Sequence, residues 1–211
     1  VGSEMCIRDR ATVDAYLEGM ADGVVEADAA TVTMLREQTE RLRRLAEDIS
    51  LVSSAEEHRL SIQPEQVSLT ELMDGAAAQA RASFAAAGVA LETEDSSAGA
   101  QVTGDRDRLS QALTNLLDNA LRYGAVPGVI TLGVRQETEG VQAWVDDDGA
   151  GIAEAERTRV TERFYRASSE GDGCGLGLAI VAEIAQRHGA MLKIETSPLG
   201  GARVGVRFRS C

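Results

Sequence analysis

VDDDGAGIAEAERTRVTERFYRASSEGDGCGLGLAIV, from Val145 to Val181, is the stretch on which the fold turns. A strand-like segment, Val141 to Val145, runs into three aspartates and then Gly149 and Gly151, so an acidic side chain stands where the backbone turns sharply. An acceptor at such a place suits a ligand amine. At the other end Gly171, Gly173, Gly175 and Gly177 lead into the helical pattern Leu178, Ile180, Val181, Ile184, so unpaired N–H groups at a helix start can face an anion. Between them Glu154 to Ser169 is rich in arginine, holds the aromatic pair Phe164 and Tyr165, and lacks the apolar periodicity of a core helix. A mobile lid is the expectation there.

Each piece alone has a plainer reading. A glycine cluster before a helix is commonly a turn, and Gly173-x-Gly175-x-Gly177 lacks the G-x-G-x-x-G spacing and preceding strand of a dinucleotide fold. The aspartates could form a solvated turn, but the alternating ligands and the Glu twelve residues along that a calcium-binding EF-hand needs are missing. Their joint order with a helix upstream favours a binding site. In that helix, expected from Asp105 to Tyr123, Leu109, Leu113, Leu116, Leu117 and Ala120 make an apolar face, while Gln111, Asn115, Asn119 and Arg122 form a second stripe. Asn costs about 0.6 kcal/mol against Ala inside a helix, and an exposed face would more simply use Glu and Lys. A neutral amide oxygen can ligate Mg²⁺ beside phosphates, so Asn115 and Asn119 are read as metal ligands.

Outward from this centre, the rest of the catalytic unit reads as a helix from Ser68 to Gly88, with Ser68 the N-cap, Glu71 completing a capping box and Gly88 the stop. Strands are expected at Val89 to Glu94, Gln101 to Gly104, Val129 to Gln136, Val141 to Asp146, Met191 to Thr196 and Arg203 to Arg209, and a last helix at Leu178 to Arg187. That order predicts an α+β domain, a mixed sheet covered by helices on one face. Residues 1–10 read as a non-native, joined-on segment, and 11–54 as a helical hairpin whose seam, Leu35, Leu42, Ile49 with Leu45 and Val52, would pair with a second copy as a four-helix bundle. Residues 55–66, with Pro64, read as linker, and 67–211 as the catalytic domain.

The totals bound the function. The 211 residues are 44% hydrophobic, enough for a core, and a net charge of −13 excludes a nucleic-acid surface. Cys6, Cys174 and Cys211 lack paired spacing or a His cluster, which suits reduced thiols in the cytoplasm and excludes zinc. No apolar run reaches the ~18 residues of a membrane span, and no signal peptide is read.

NLLDNALRYG (Asn115 to Gly124), DDGAGI (Asp147 to Ile152), ERFYR (Glu162 to Arg166), GCGLGLAIV (Gly173 to Val181) and LGGARVGVRF (Leu199 to Phe208), in this order, resemble the N, G1, F, G2 and glycine-rich terminal motifs of the sensor histidine kinase family. The resemblance implies a Bergerat-type two-layer α/β sandwich, preceded by a truncated dimerisation and phosphotransfer hairpin. It implies that Asn115 and Asn119 hold Mg²⁺ and phosphate, Arg122 faces the triphosphate of ATP, Tyr123 lines the nucleotide, and Asp147 accepts the adenine amine. Gly149 and Gly151 would let the base approach, and Gly173, Gly175, Leu176 and Gly177 would wrap the phosphates, with Arg166 reaching them from the lid. The implied partners are a second copy through the hairpin and a response regulator receiver domain, with no nucleic acid. The parent protein would be cytoplasmic or anchored in the cell membrane.

Two motif positions depart from the family. Thr161 stands where an aromatic residue commonly begins the F motif, and Cys174 where Ser or Thr commonly sits in G2. The phosphoacceptor motif is also missing, since Glu4 to Arg10 occupy its place; His58 and His188 read as structural. The chain is therefore expected to bind ATP without phosphorylating itself. The alternatives from other classes are a related ATPase, which would carry Glu where Asn115 stands, and a pseudokinase scaffold that only dimerises.

Overall fold

The computed structural model describes Asp28, Thr31, residues 63–165 and residues 175–209. The expectations for residues 1–10, for most of the hairpin and linker, and for His58, Arg166, Gly173 and the cysteines lie outside the described residues. Asp28 is described, and its Oδ1 accepts the N–H of helical Thr31 at 2.7 Å, the geometry of an N-cap.

From Gln63 the chain builds one sheet-and-helix layer pair, in the order β1 (Glu65–Ser68), α1 (Leu69–Ala87), β2 (Val89–Ser96), β3 (Gln101–Gly104), α2 (Arg106–Tyr123), β4 (Gly128–Glu137), β5 (Gly140–Asp146), α3 (Gly177–Arg187), β6 (Met191–Thr196) and β7 (Ala202–Arg209). The main sheet has five strands in the order β2-β4-β5-β7-β6. The β2·β4 pair is parallel and the others antiparallel, so the sheet is mixed as expected.

The register explains the core. Leu132 lies opposite Val145 and Val134 opposite Ala143, and these continue to Val204 and Val206 on β7. All are buried, and one face of the sheet is therefore apolar. Against it the helices bury their apolar stripes: Leu72, Met73, Ala76 and Phe84 on α1, Leu109, Leu113, Leu116 and Leu117 on α2, and Ile180, Val181 and Ile184 on α3. Truncating Leu116, which is 1% exposed, to Ala would cost ~2–5 kcal/mol.

The other face carries no second layer among the described residues, yet Trp144 there is buried. A side chain at Gly133 would overlap the indole, so the ring lies over that glycine, and the Arg135 and Arg203 guanidinium groups sit 5.0 Å from its centroid. Arginine stems and π-contacts do the work of an apolar layer. Among the described residues no helix is long and apolar enough to cross a membrane.

Three expectations change. Glu65 and Gln66, read as linker, belong to β1, which pairs antiparallel with β3 and buries Val67; four residues after a proline are too few to show a period. The capping box at α1 is half made: Ser68 Oγ accepts the Glu71 N–H at 3.3 Å, but the Glu71 carboxylate takes Arg106 Nη2 at 2.8 Å instead of reaching back. The lid, read without any regular element, carries local structure over its part up to Tyr165; the rest lies outside the described residues. Glu154–Glu156 and Arg159–Thr161 are 3₁₀ turns, Arg157 donates to the Ile152 carbonyl and to Thr196 Oγ1, and Arg159 lies 4.4 Å over the Tyr165 ring. Polar stitching of this kind leaves no hydrophobic period to read.

Candidate functional site

The three aspartates at the end of β5 have three different jobs. Asp146, still in the strand, stands opposite Arg203 in the register, and a two-pronged ion pair joins them, Nε to Oδ1 at 2.7 Å and Nη2 to Oδ2 at 2.5 Å. This pair holds Arg203 beside Trp144. Asp148 turns the other way and accepts the N–H groups of Ala125 at 3.0 Å and Val129 at 2.8 Å. Those two bonds, the Val129 one foremost, hold its carboxyl below the ordinary carboxylate value.

Asp147 lies between them, 6% exposed. Both N–H groups that it accepts, from Gly149 and Ala202 at 3.0 Å each, go to the same oxygen, Oδ1, so its other oxygen is taken by neither. Burial raises its pKa above the ordinary 3.8; the two N–H groups pull against that shift, while Asp148 and Asp146 add to it. The carboxylate is pinned, desolvated and left with acceptor capacity, as a group set to receive a donor should be.

Close backbone packing fixes the turn. A side chain at Gly149 would overlap the Tyr123 carbonyl, and one at Gly201 would overlap Asp147 Oδ1. Gly149, expected to let a ligand approach, packs on the end of α2. Gly201 belongs to the LGGARVGVRF motif, but no local feature of the sequence marks it as a site residue. Gly151 has φ 73°, and a Cβ there would come 3.3 Å from the Gly201 carbonyl oxygen.

The helix α2 carries the amide stripe. Gln111 is satisfied locally by Arg108 Nη1 at 3.3 Å, so the stripe narrows to Asn115, Asn119 and Arg122. Asn115 Nδ2 is buried without a partner, one of three such side-chain atoms among the described residues. A buried amide left open is costly unless something binds there. Asn119 is half-buried, and Arg122 and Tyr123 are exposed at the helix end.

At the start of α3, Leu176 occupies the N-cap position and no side chain among the described residues caps the helix, whereas Ser68 and Asp105 cap α1 and α2. The first N–H groups of α3 are thus left for a ligand. A side chain at Gly177 would meet nothing within 4 Å among the described residues. Gly175, at φ 68°, accepts the Phe164 N–H at 2.9 Å through its carbonyl oxygen. Leu176 is 2% exposed, so its side chain belongs to the core and only its backbone can face a ligand.

His188 is structural. Its Nε2 accepts the Asp105 N–H at 3.0 Å, which leaves the proton on Nδ1 to be donated to the Ile184 carbonyl at 2.8 Å. No cluster of three or more His, Cys, Asp or Glu residues able to hold a metal occurs among the described residues. A metal at this site would rest on amides and on the ligand itself.

Residues 104–210 match the family model described as Histidine kinase-, DNA gyrase B-, and HSP90-like ATPase. The signal transduction histidine-protein kinase BaeS of Escherichia coli (strain K12) is 33% identical over 198 residues, which cover 91% of this chain and 42% of that protein. The ATP-binding domain of PrrB from Mycobacterium tuberculosis has a similar structure, with a TM-score of 0.58 and 33% identity, covering 70% of this chain and 98% of that one. The Acinetobacter baumannii histidine kinase AdeS shares the fold at a TM-score of 0.78 and 23% identity, covering 95% of this chain and 94% of that one. The chain spans less than half the length of the curated relatives that it matches.

Proposed function

Because the chain belongs to the family of histidine kinase-, DNA gyrase B- and HSP90-like ATPases, we propose that residues 67–211 bind Mg-ATP and pass its γ-phosphoryl group to a histidine, as the catalytic half of a sensor histidine kinase. The observation that carries the nucleotide reading is Asp147, a desolvated carboxylate with one oxygen anchored by two N–H groups and its other oxygen taken by neither of them. The free oxygen accepts the exocyclic amine of adenine. Tyr123 and the glycines Gly149 and Gly151 line the base. The uncapped start of α3, at Gly175, Leu176 and Gly177, faces the phosphates with its N–H groups, and Arg122 adds positive charge.

The unpartnered Nδ2 of Asn115 is a donor and fits a phosphate oxygen, while the amide oxygens of Asn115 and Asn119 would hold Mg²⁺. When bound, that ion neutralises the charge that builds on the phosphates during transfer. Arg166 and Gly173 join the phosphate site in this reading on their motifs alone. The residues 11–54 serve as the dimerising hairpin, 55–66 up to Pro64 as its tether, and a receiver domain of a response regulator takes the phosphoryl group onward in the cytoplasm.

Transfer to a histidine is favoured over hydrolysis because Asn115 cannot take a proton from water. Phosphoryl transfer is chiefly positioning and charge stabilisation, which glycines, amides and arginines supply without a nucleophile in this domain. Calorimetric titration with ATP, with and without Mg²⁺, tests the reading. Magnesium-dependent binding is expected, and no binding of ATP under either condition would remove it.

A further inference from the structure

The connection from α2 to β4 is held by a side chain from elsewhere in the chain. Asp148 spans it, Oδ1 accepting the Ala125 N–H at 3.0 Å and Oδ2 the Val129 N–H at 2.8 Å. Room for this carboxylate exists because Gly128 lacks a side chain. A Cβ there would come within 2.7 and 2.8 Å of its oxygens, whereas one at Gly124 would lie 3.6 Å from Oδ1, in ordinary contact. The residues on either side of Asp148 are tied elsewhere: Asp147 to Ala202 at the start of β7, and Gly149 against the Tyr123 carbonyl. Three successive residues therefore bind the end of β5 to β7, to the α2–β4 turn and to the last residue of α2.

We propose that Asp148 is a positioning residue for the nucleotide site: by fastening the α2–β4 turn to the residue after Asp147, it sets the direction in which Asp147 offers its free oxygen and the place of Tyr123 beside it. The inference rests on the reading of Asp147 as the acceptor for the adenine amine. Asp148 itself has both oxygens committed to backbone donors, so it acts on the ligand only through its neighbours. An amide in its place has one acceptor oxygen and would turn an NH₂ group toward one of the two N–H donors, releasing it. Truncation to Ala frees both.

The test is a ratio. Affinities of the full chain for ATP and for purine riboside triphosphate, which lacks the exocyclic amine, are measured by calorimetry for the wild type, Asp147→Asn, Asp148→Ala and Asp148→Asn. Because partial unfolding weakens both ligands equally, the ratio reports on the direction of Asp147 and not on stability. The wild type should prefer ATP by about tenfold or more, the size of one charge-assisted hydrogen bond, and Asp147→Asn should abolish that preference. Asp148→Ala should lose most of it, and Asp148→Asn should fall between.

A wild-type ratio in Asp148→Ala, even with both affinities reduced, overturns the positioning role. Should Asp148→Ala fail to fold, a wild-type ratio in Asp148→Asn overturns it equally. No preference in the wild type would instead sink the reading of Asp147, a result distinguishable from failure at Asp148 alone.

Discussion

Replacing Asp147 with Asn separates binding from folding. In the folded protein the two N–H donors of Gly149 and Ala202 both point at Oδ1. An asparagine can satisfy them only by placing its carbonyl oxygen there, which puts its NH₂ group where the second carboxylate oxygen was. The fold then keeps its two hydrogen bonds and loses a buried charge whose ionisation burial already opposes. Stability should change by less than about 1 kcal/mol, the scale of a single neutral hydrogen bond. A ligand amine, by contrast, meets a donor in place of a charged acceptor. A hydrogen bond to a charged group contributes about 1.5–3 kcal/mol, so ATP affinity should fall by at least ~10- to 150-fold. Calorimetry gives the affinity and urea unfolding the stability. Equal ATP affinity in the two proteins would remove Asp147 from the site, and a loss of several kcal/mol of stability would show that the amide does not hold Oδ1 as argued.

The affinity for ATP should weaken on acidification with a midpoint above the ordinary carboxylate value of 3.8, because binding needs Asp147 ionised and burial raises its pKa; an affinity flat down to pH 4 contradicts this. The same raised pKa has the opposite sign for folding: Asp147 contributes stability below the ordinary value and loses it as pH rises through the folded one, so Asp147→Asn should be most stabilising, relative to wild type, at neutral pH. Gly201→Ala should abolish ATP binding by pushing a methyl group onto Asp147 Oδ1, and retained affinity would mean that the β6–β7 turn yields more easily than its packing implies. The chain should not label itself with ATP, since Glu4 to Arg10 occupy the place of the phosphoacceptor motif, His58 lacks that motif around it, and both nitrogens of His188 are committed to Asp105 and Ile184; it should label a supplied hairpin bearing an acceptor histidine. Acid-labile label on the chain alone would refute the first half, and none on the hairpin the second.

Local signals carried the sequence reading a long way. Ser68 and Gly88 bound α1 and Asp105 starts α2 because caps act within a few residues of themselves. The strands were legible because one buried face imposes a period of two, as Ile130, Leu132 and Val134 show on β4. Asp147 and the amides of α2 could be singled out because their residue types are ill-suited to a plain turn or an exposed helix face. What each neighbour of Asp147 does was not legible. Asp146 finds Arg203 and Asp148 finds Val129 across 57 and 19 residues of chain, and nothing in a run of three identical side chains says which oxygen meets which partner. The same holds for Glu71, drawn to Arg106 and not to its own helix end, for the short β1 paired with β3, and for Trp144, flanked by arginines on a face that no second layer covers among the described residues. Composition and periodicity determine which elements form and where chemistry is concentrated, because those effects are local. The division of roles among adjacent carboxylates depends on donors brought together by strand register and loop closure, and only the tertiary structure decides it.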